Sequence, residues 1–265
     1  MFDAGNINFL SEKFLIGILL FIRVMGMLGT APFYGHTAIP AQVKIILGII
    51  IAAGLSSAFQ ETPSAIDLDA WNLAVLVFKE FLVGALIGFS CTMVFTAARF
   101  AGGLIDFDMG FQTALLFDPS ASAPTLIGEL KALIGLMIFL FINGHHFLIE
   151  SLFVSIQAVP IGTFVMTESS VNLLVRLITT MMILGVKIAA PVLVAIFLTN
   201  LGLALLARVA PQMNVFSLSF HVKIVVGLSV LTISIPLFVL LIREAMNSLQ
   251  SDALNVLLAI NGRKL

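Results

Sequence analysis

Charge and cysteine are both scarce in this chain. Only 10 % of its 265 residues are charged and the formal net charge is −1, so the chain lacks the basic surface that nucleic-acid binding requires. The single cysteine, Cys91, excludes an intramolecular disulfide and a zinc or iron–sulfur cluster held by cysteines. The sequence also has no phosphate-binding glycine loop and no catalytic triad pattern. We therefore predict that the protein is not an enzyme, with no catalytic residue, no cofactor and no metal.

Hydrophobic residues dominate the rest of the sequence. They make up 60 % of the chain, and the mean hydropathy of +1.15 is that of a membrane protein. A hydrocarbon core of ~30 Å takes about 20 helical residues. The stretches near this length are Phe14–Phe33, Val43–Phe59, Leu73–Ala98, Leu126–Val159, Val171–Ala207 and Lys223–Ile242. The fold class is predicted to be all-α, an integral membrane protein with kinked helices.

Some of these stretches are interrupted. The fourth is broken by the polar run Asn143–His146, and the fifth is too long for one span and contains Pro191, so that two helical pieces are predicted there. The run Ile224–Ile242 has no charge and is predicted to be an ordinary span, because neighbouring groups can compensate for Pro236.

Five charged residues lie within or against apolar runs, namely Arg23, Lys79, Glu80, Arg176 and Lys187, and of these Arg23, Glu80 and Lys187 are the candidate intramembrane charges. An unpaired charge at bilayer depth costs at least ~2.5 kcal/mol on insertion scales. We therefore predict that these side chains contact polar groups of protein or water. The basic residues divide almost evenly between the two sides of a six-span arrangement, so the final position of the helices is expected to depend on assembly with other chains.

The segment Arg99–Lys131 does not resemble a solvated loop. It combines the glycines at 102, 103 and 110 and the acidic pair Asp106 and Asp108 with many apolar side chains. One interpretation is a re-entrant or interfacial piece that caps its own helices. The other is a plug inserted into a channel shared with other subunits.

The stretch Arg208–Lys223 joins two apolar helical segments. Pro211 is predicted to stop the first helix, and Asn214 or Ser217 to cap the second, which gives a helical hairpin. This explains the proline and the asparagine as a capped turn.

The adjacent histidines His145 and His146 suggest a metal or proton-relay site, since imidazole binds metals and titrates near neutral pH. Neighbouring residues point to different faces of a helix, and Glu150 is the only close carboxylate in sequence. Polar capping at a helix break is the favoured interpretation.

Several short motifs occur together and in order. They are Arg23 with Ala31-Pro32 and Ile39-Pro40, Met109-Gly110-Phe111 before Asp118-Pro119, Asn143-Gly144-His145-His146 before Pro160-Ile161-Gly162, and the hexapeptide Pro211–Phe216. Over roughly residues 14–245 the chain resembles the FliR family of flagellar type III export proteins, which is related to the SctT components of injectisomes.

The resemblance implies a fold similar to a fusion of FliP-like and FliQ-like helical units, here residues 1–188 with the plug loop 99–131, and residues 189–265 with a hairpin and tail. It implies a subunit of an export gate in the bacterial inner membrane, at the flagellar basal body. The implied partners are FliP and FliQ, then FlhB and FlhA, with unfolded flagellar proteins as substrates and no homo-oligomer.

The resemblance also assigns candidate site residues. Those of the pore plug are Asp106, Phe107, Asp108, Met109, Gly110, Phe111, Leu115, Leu116 and Phe117. Those of a subunit-contact motif are Pro211, Gln212, Met213, Asn214, Val215 and Phe216. Two alternatives remain open, an injectisome export subunit and an independent secondary transporter or channel, the second of which predicts an internal inverted repeat.

Overall fold

The structure, a computed structural model, describes residues 4–35, 39–58, 69–113 and 125–260. In these ranges the chain forms helices and no β-strand. The α-helices are α1 (Ala4–Thr30), α2 (Ala41–Ala58), α3 (Ala70–Met109), α4 (Leu126–Phe141), α5 (Gly144–Ala158), α6 (Glu168–Val209), α7 (Val215–Ile233) and α8 (Ile235–Ile260). One turn of 3-10 helix, Phe111–Thr113, follows α3. The predicted all-α class is confirmed.

Four helices in the described ranges are long and apolar enough to cross a membrane. They are α1 from Lys13, α3, α6 from Ser170, and α7, and the number rises to five if α4 and α5 together form one broken span. The helix α2 is apolar but shorter. The protein is therefore an integral membrane protein, as predicted.

Two of the helices are much longer than a bilayer requires. The helix α3 has 40 residues and α6 has 42, which at 1.5 Å per residue gives each a length of about 60 Å. The hydrocarbon core is only ~30 Å thick. Even at a tilt of about 40°, part of each helix must therefore lie outside it.

The two proline-containing stretches differ from their predictions. The expected division of the fifth stretch is wrong, because Pro191 lies inside the single helix α6. Ala189 and Val192 beside it are fully buried, so packing holds the helix together across the missing amide. The predicted uninterrupted span Ile224–Ile242 is also wrong, because the chain breaks at Ser234 and Pro236 stands in the first turn of α8, where its missing N–H has no intrahelical role.

The break predicted at Asn143 is confirmed. This residue separates α4 from α5 and adopts a left-handed conformation with φ of 58°. Asparagine tolerates this region better than most residues.

The first of two compact units contains the described residues within 1–92, 143–177 and 247–265. Here α1 lies directly against α3. The Thr30 hydroxyl donates to the Ala85 carbonyl at 3.1 Å, and the Thr92 hydroxyl donates to the Thr30 carbonyl at 2.5 Å. The fully buried core residues of α1 are Leu19, Leu20, Val24, Met27 and Leu28.

The second compact unit contains the described residues within 93–142 and 178–246. The rings of Phe95 on α3 and Phe139 on α4 meet edge to face, with centroids 5.6 Å apart. Gly185 of α6 packs against the ring of Phe100 on α3. These contacts make the C-terminal half of α3 the element on which α4 and α6 pack.

Candidate functional site

A buried ion pair lies at the centre of the first unit. Arg23 on α1 and Glu80 on α3 are both 0 % exposed, and Nε of the arginine is 2.6 Å from Oε2 of the glutamate. The other guanidinium nitrogens donate to the Ser155 hydroxyl at 3.3 Å and to the Val159 carbonyl at 3.1 Å. The second oxygen of Glu80 accepts the amide of Gly162 at 2.8 Å. The protein thus satisfies both charges itself.

The ion pair fixes the turn that follows α5. Arg23 binds the carbonyl that ends this helix, where a cation is favoured by the helix dipole. Gly162 has φ of +79°, and a Cβ there would lie 2.7 Å from Cδ2 of Leu76. The Pro160-Ile161-Gly162 motif is therefore a turn whose glycine is needed for its left-handed conformation.

Lys187 has a different environment. It is exposed on α6, within the second unit. Among the described residues no carboxylate forms an ion pair with it; the ion pairs in these ranges join Arg23 to Glu80 and Arg99 to Glu129. Its charge remains uncompensated within the part of the chain that the structure describes.

The predicted loop 99–131 is too long at both ends. Residues up to Met109 belong to α3, and α4 begins at Leu126. The glycine at position 102 was interpreted as a source of flexibility, but it is a helix contact. A Cβ there would clash with the backbone of Gly128 and lie 2.7 Å from the carbonyl carbon of Ile127. Glycine is needed because α3 and α4 approach closely here.

Asp106 joins the end of α3 to the start of α4. Its carboxylate is 1 % exposed, and its two oxygens lie 3.2 and 3.1 Å from the amide nitrogen of Ile127, which donates to them. This amide lies in the first turn of α4, where Thr125 provides no side-chain cap. We call the contact of Asp106 with Ile127 and of Gly102 with Gly128 the loop root.

The other predicted plug residues differ in how deeply they are buried. Met109 is fully buried and packs against Gly227 of α7, whereas Phe107 is 73 % exposed. Asp108, Gly110 and Phe111 are half-buried. Leu115, Leu116 and Phe117 lie outside the described residues. Asp106 and Met109 therefore belong to the packing of the second unit, whereas the side chain of Phe107 is exposed on its surface.

The subunit-contact motif forms the turn between α6 and α7. The predicted turn between two helices is confirmed, since α6 ends at Val209 and α7 begins at Val215. Asn214 is its cap, because its side-chain oxygen accepts the amide of Ser217 at 3.2 Å. Pro211, Gln212, Met213 and Asn214 are exposed and Val215 is half-buried. Phe216 is 90 % exposed, which the turn itself does not require.

Sequence reasoning missed three residues with polar roles. Ser155 and Gly162 bind the ion pair, and Lys131 is 4 % exposed on α4 with its ammonium 4.5 Å from the ring centroid of Phe238. The burial of Lys131 could have been predicted from its spacing of four residues from Ile127, because this spacing places both side chains on one face of α4.

The histidine pair provides no metal centre. The rings of His145 and His146 are 4.2 Å apart, and Nδ1 of His145 is buried without a hydrogen bond. Over the described ranges, no group of three or more His, Cys, Asp or Glu side chains could hold an ion.

Comparison with known proteins identifies relatives of this chain. The family described as "Bacterial export proteins, family 1" matches residues 14–249. The "Flagellar biosynthetic protein FliR" of Bacillus subtilis (strain 168) is 30 % identical over 259 residues, covering 96 % of this chain and 99 % of that protein. The proteins of the same name from Aquifex aeolicus (strain VF5) and Escherichia coli (strain K12) are 32 % and 28 % identical, each over 86 % of this chain and 88 % of the relative.

Proposed function

The chain belongs to the FliR family of flagellar biosynthetic export proteins, and we propose that it forms, with FliP and FliQ, the pore through which unfolded flagellar proteins leave the cytoplasm. As a member of this family it is a membrane-embedded component of flagellar export. In the proposal the pore lies in the bacterial inner membrane at the flagellar basal body, and FlhB and FlhA associate with it. The chain contributes structure and gating rather than catalysis, and needs no cofactor.

We propose further that the segment between α3 and α4 plugs this pore. The observation that carries this proposal is the loop root. Because Asp106 binds the amide of Ile127, the segment between them leaves and re-enters the second unit at one fixed place. A plug needs such fixed ends, so that its middle can move without unfolding the helices.

The chemistry of the segment suits a seal. Phe107 is largely exposed, and the sequence continues with Phe111, Leu115, Leu116 and Phe117. Apolar side chains in a narrow passage exclude water and with it ions. In the proposal a substrate chain displaces the middle of the segment, and the apolar side chains of the segment accept varied polypeptides and then seal the pore again.

Two further parts of the proposal concern the organisation of the chain. Residues 1–188 are proposed to be the FliP-like part and residues 189–265 the FliQ-like hairpin with its tail. The exposed Phe216 and Met213 support a contact of the hairpin turn with another subunit, because both apolar side chains face away from the chain. The flagellar names of the relatives favour flagellar over injectisome export.

The plug is tested by the double variant Phe107→Ala/Phe111→Ala, studied in the intact complex. Both side chains lie outside the loop root, so the complex should still form. We expect the passive permeability of the membrane to ions to rise several-fold. The matched control is Phe141→Ala, which removes a phenylalanine that is 91 % exposed on α4 and distant in sequence from the loop. An assembled double variant with the ion permeability of the wild type would refute the plug.

A further inference from the structure

The outer face of α6 carries a regular stripe of exposed residues within the second unit. The stripe consists of Ile183, Lys187, Ala190, Val194, Phe197 and Leu201. Four of its members are apolar and 48–59 % exposed, namely Ile183, Val194, Phe197 and Leu201. Ala190 is half-buried. We call these six residues the α6 stripe.

The spacing of the stripe is that of a helix-docking seam. Its members alternate four and three residues apart, which keeps them on one line along a helix. The opposite line of α6 is the buried one, with Ile188, Val192 and Ile196 at 0–2 % exposure. Gly185 on that side packs against Phe100 of α3. The helix is therefore packed within the chain on one side and bare on the other.

The position of Lys187 on α6 argues for a protein neighbour on this face. Twenty residues, 188–207, separate Lys187 from Arg208, about the thickness of a hydrocarbon core. If the exposed apolar residues before Lys187, Met182 and Ile183 among them, also lie in that core, then Lys187 lies in it too. A charge there costs at least ~2.5 kcal/mol unless a polar group accompanies it, and lipid chains offer none. A docked protein helix can supply that group.

The charge of Lys187 defines what that protein must present. A lysine at a seam position that is otherwise apolar specifies its partner by requiring a compensating group. The stripe contains no carboxylate, so a second copy of this chain docked on the same residues could not compensate Lys187, and a parallel pairing would bring lysine against lysine, which disfavours association. A carboxylate in an apolar helix supplies the opposite charge.

We propose that the α6 stripe is the docking site for an apolar helix of another chain, which presents one aspartate or glutamate to Lys187. This proposal rests on the proposed function, in that it takes the chain to be a subunit of a larger helical assembly. It adds the location of one contact, the class of partner helix, and Lys187 as the residue that sets its register.

The test is a charge series at position 187 in the complete complex. The chain is expressed with its own export genes, purified in mild detergent by an affinity tag, and the co-purifying chains are quantified by mass spectrometry. For Lys187→Glu we expect recovery of one membrane partner to fall at least tenfold, for Lys187→Met an intermediate fall, and for Lys187→Arg near-normal recovery. The matched control is Arg243→Glu, a reversal of an exposed charge on α8, a different helix of the same unit.

A second experiment identifies the docked helix even if Lys187→Glu does not accumulate. A photo-reactive residue at Val194 should cross-link to a peptide from an apolar helix that contains a carboxylate. Changing that carboxylate to lysine should restore the recovery lost in Lys187→Glu. Cross-links to lipid alone, or full recovery with Lys187→Glu, would overturn the α6 docking site. A wild-type chain that purifies without any partner would instead overturn the proposed function itself.

Discussion

The charged residues of the two compact units differ in how they are satisfied. In the first unit, Arg23 and Glu80 are fully buried and paired, and their remaining hydrogen-bonding atoms bind Ser155, Val159 and Gly162. In the second unit, the buried ammonium of Lys131 lies over an aromatic ring and Lys187 is exposed on an apolar helix. Among the described residues, neither of these lysines forms an ion pair with a carboxylate.

The difference distinguishes charges that stabilise the fold of the chain from a charge that we propose takes part in assembly with another chain. Burying a charge is tolerated when its partner and the surrounding hydrogen bonds are present. The first unit provides all of these from its own chain, so its charges fix α1, α3 and the turn after α5 together. The second unit leaves Lys187 exposed on an apolar helix, and in our proposal another chain supplies its partner.

The largest effect is expected from Arg23→Met. This variant leaves Glu80 buried without its partner, which typically destabilises a protein by roughly 3 to 5 kcal/mol. We expect a strong loss of accumulated protein and a large drop in the melting temperature in detergent. Arg176→Met serves as the control, because Arg176 is exposed in the same unit.

Two further variants sharpen this comparison. The double variant Arg23→Met/Glu80→Leu removes both charges, and should recover most of the stability lost by the single change. Lys131→Met in the second unit should reduce the stability much less than Arg23→Met does, because the buried cation–π contact that it removes, worth about 2 kcal/mol, is offset by the removal of a buried charge, and no partner charge is left behind. A similar loss for Arg23→Met and Lys131→Met would contradict the distinction between the units.

At the loop root we expect a smaller loss of stability than for Arg23→Met, because α3 and α4 meet there through backbone atoms and not through an ion pair. Gly102→Ala would force α3 away from α4, and overpacking of this kind costs typically 1–3 kcal/mol. The adjacent Gly103→Ala is the matched control, since its Cβ would meet only a methyl group of Thr125 at 3.5 Å. The melting temperature should fall for the first variant and stay or rise for the second, because alanine favours a helix by ~1 kcal/mol over glycine. Equal melting temperatures for the two would argue against a close contact at Gly102.

The sequence predicts those features that depend on neighbouring residues. The break at Asn143, the turn after Val209 and the cap by Asn214 follow from local backbone preferences, and all three are found. The all-α membrane class follows from composition and from the length of the apolar runs.

Features that depend on distant contacts were not predictable in the same way. Pro191 predicts a break in the helix from its local effect alone, yet the burial of Ala189 and Val192 beside it keeps α6 continuous. Gly102 predicts a flexible loop from sequence, but it packs against Gly128 of α4, which lies 26 residues later in the chain. Arg23 and Glu80 were recognised as charges that needed partners. Their pairing across 57 residues, and the roles of Ser155 and Gly162, became visible only in three dimensions.

The central claim is that this chain is a subunit of a hetero-oligomeric flagellar export pore. The most direct measurement is native mass spectrometry of the tagged wild-type chain, expressed with its own export genes and purified in mild detergent. The account predicts a large complex that contains this chain together with several FliP-like and FliQ-like chains. A stable monomer, or an oligomer of this chain alone, would contradict the account and favour an independent transporter.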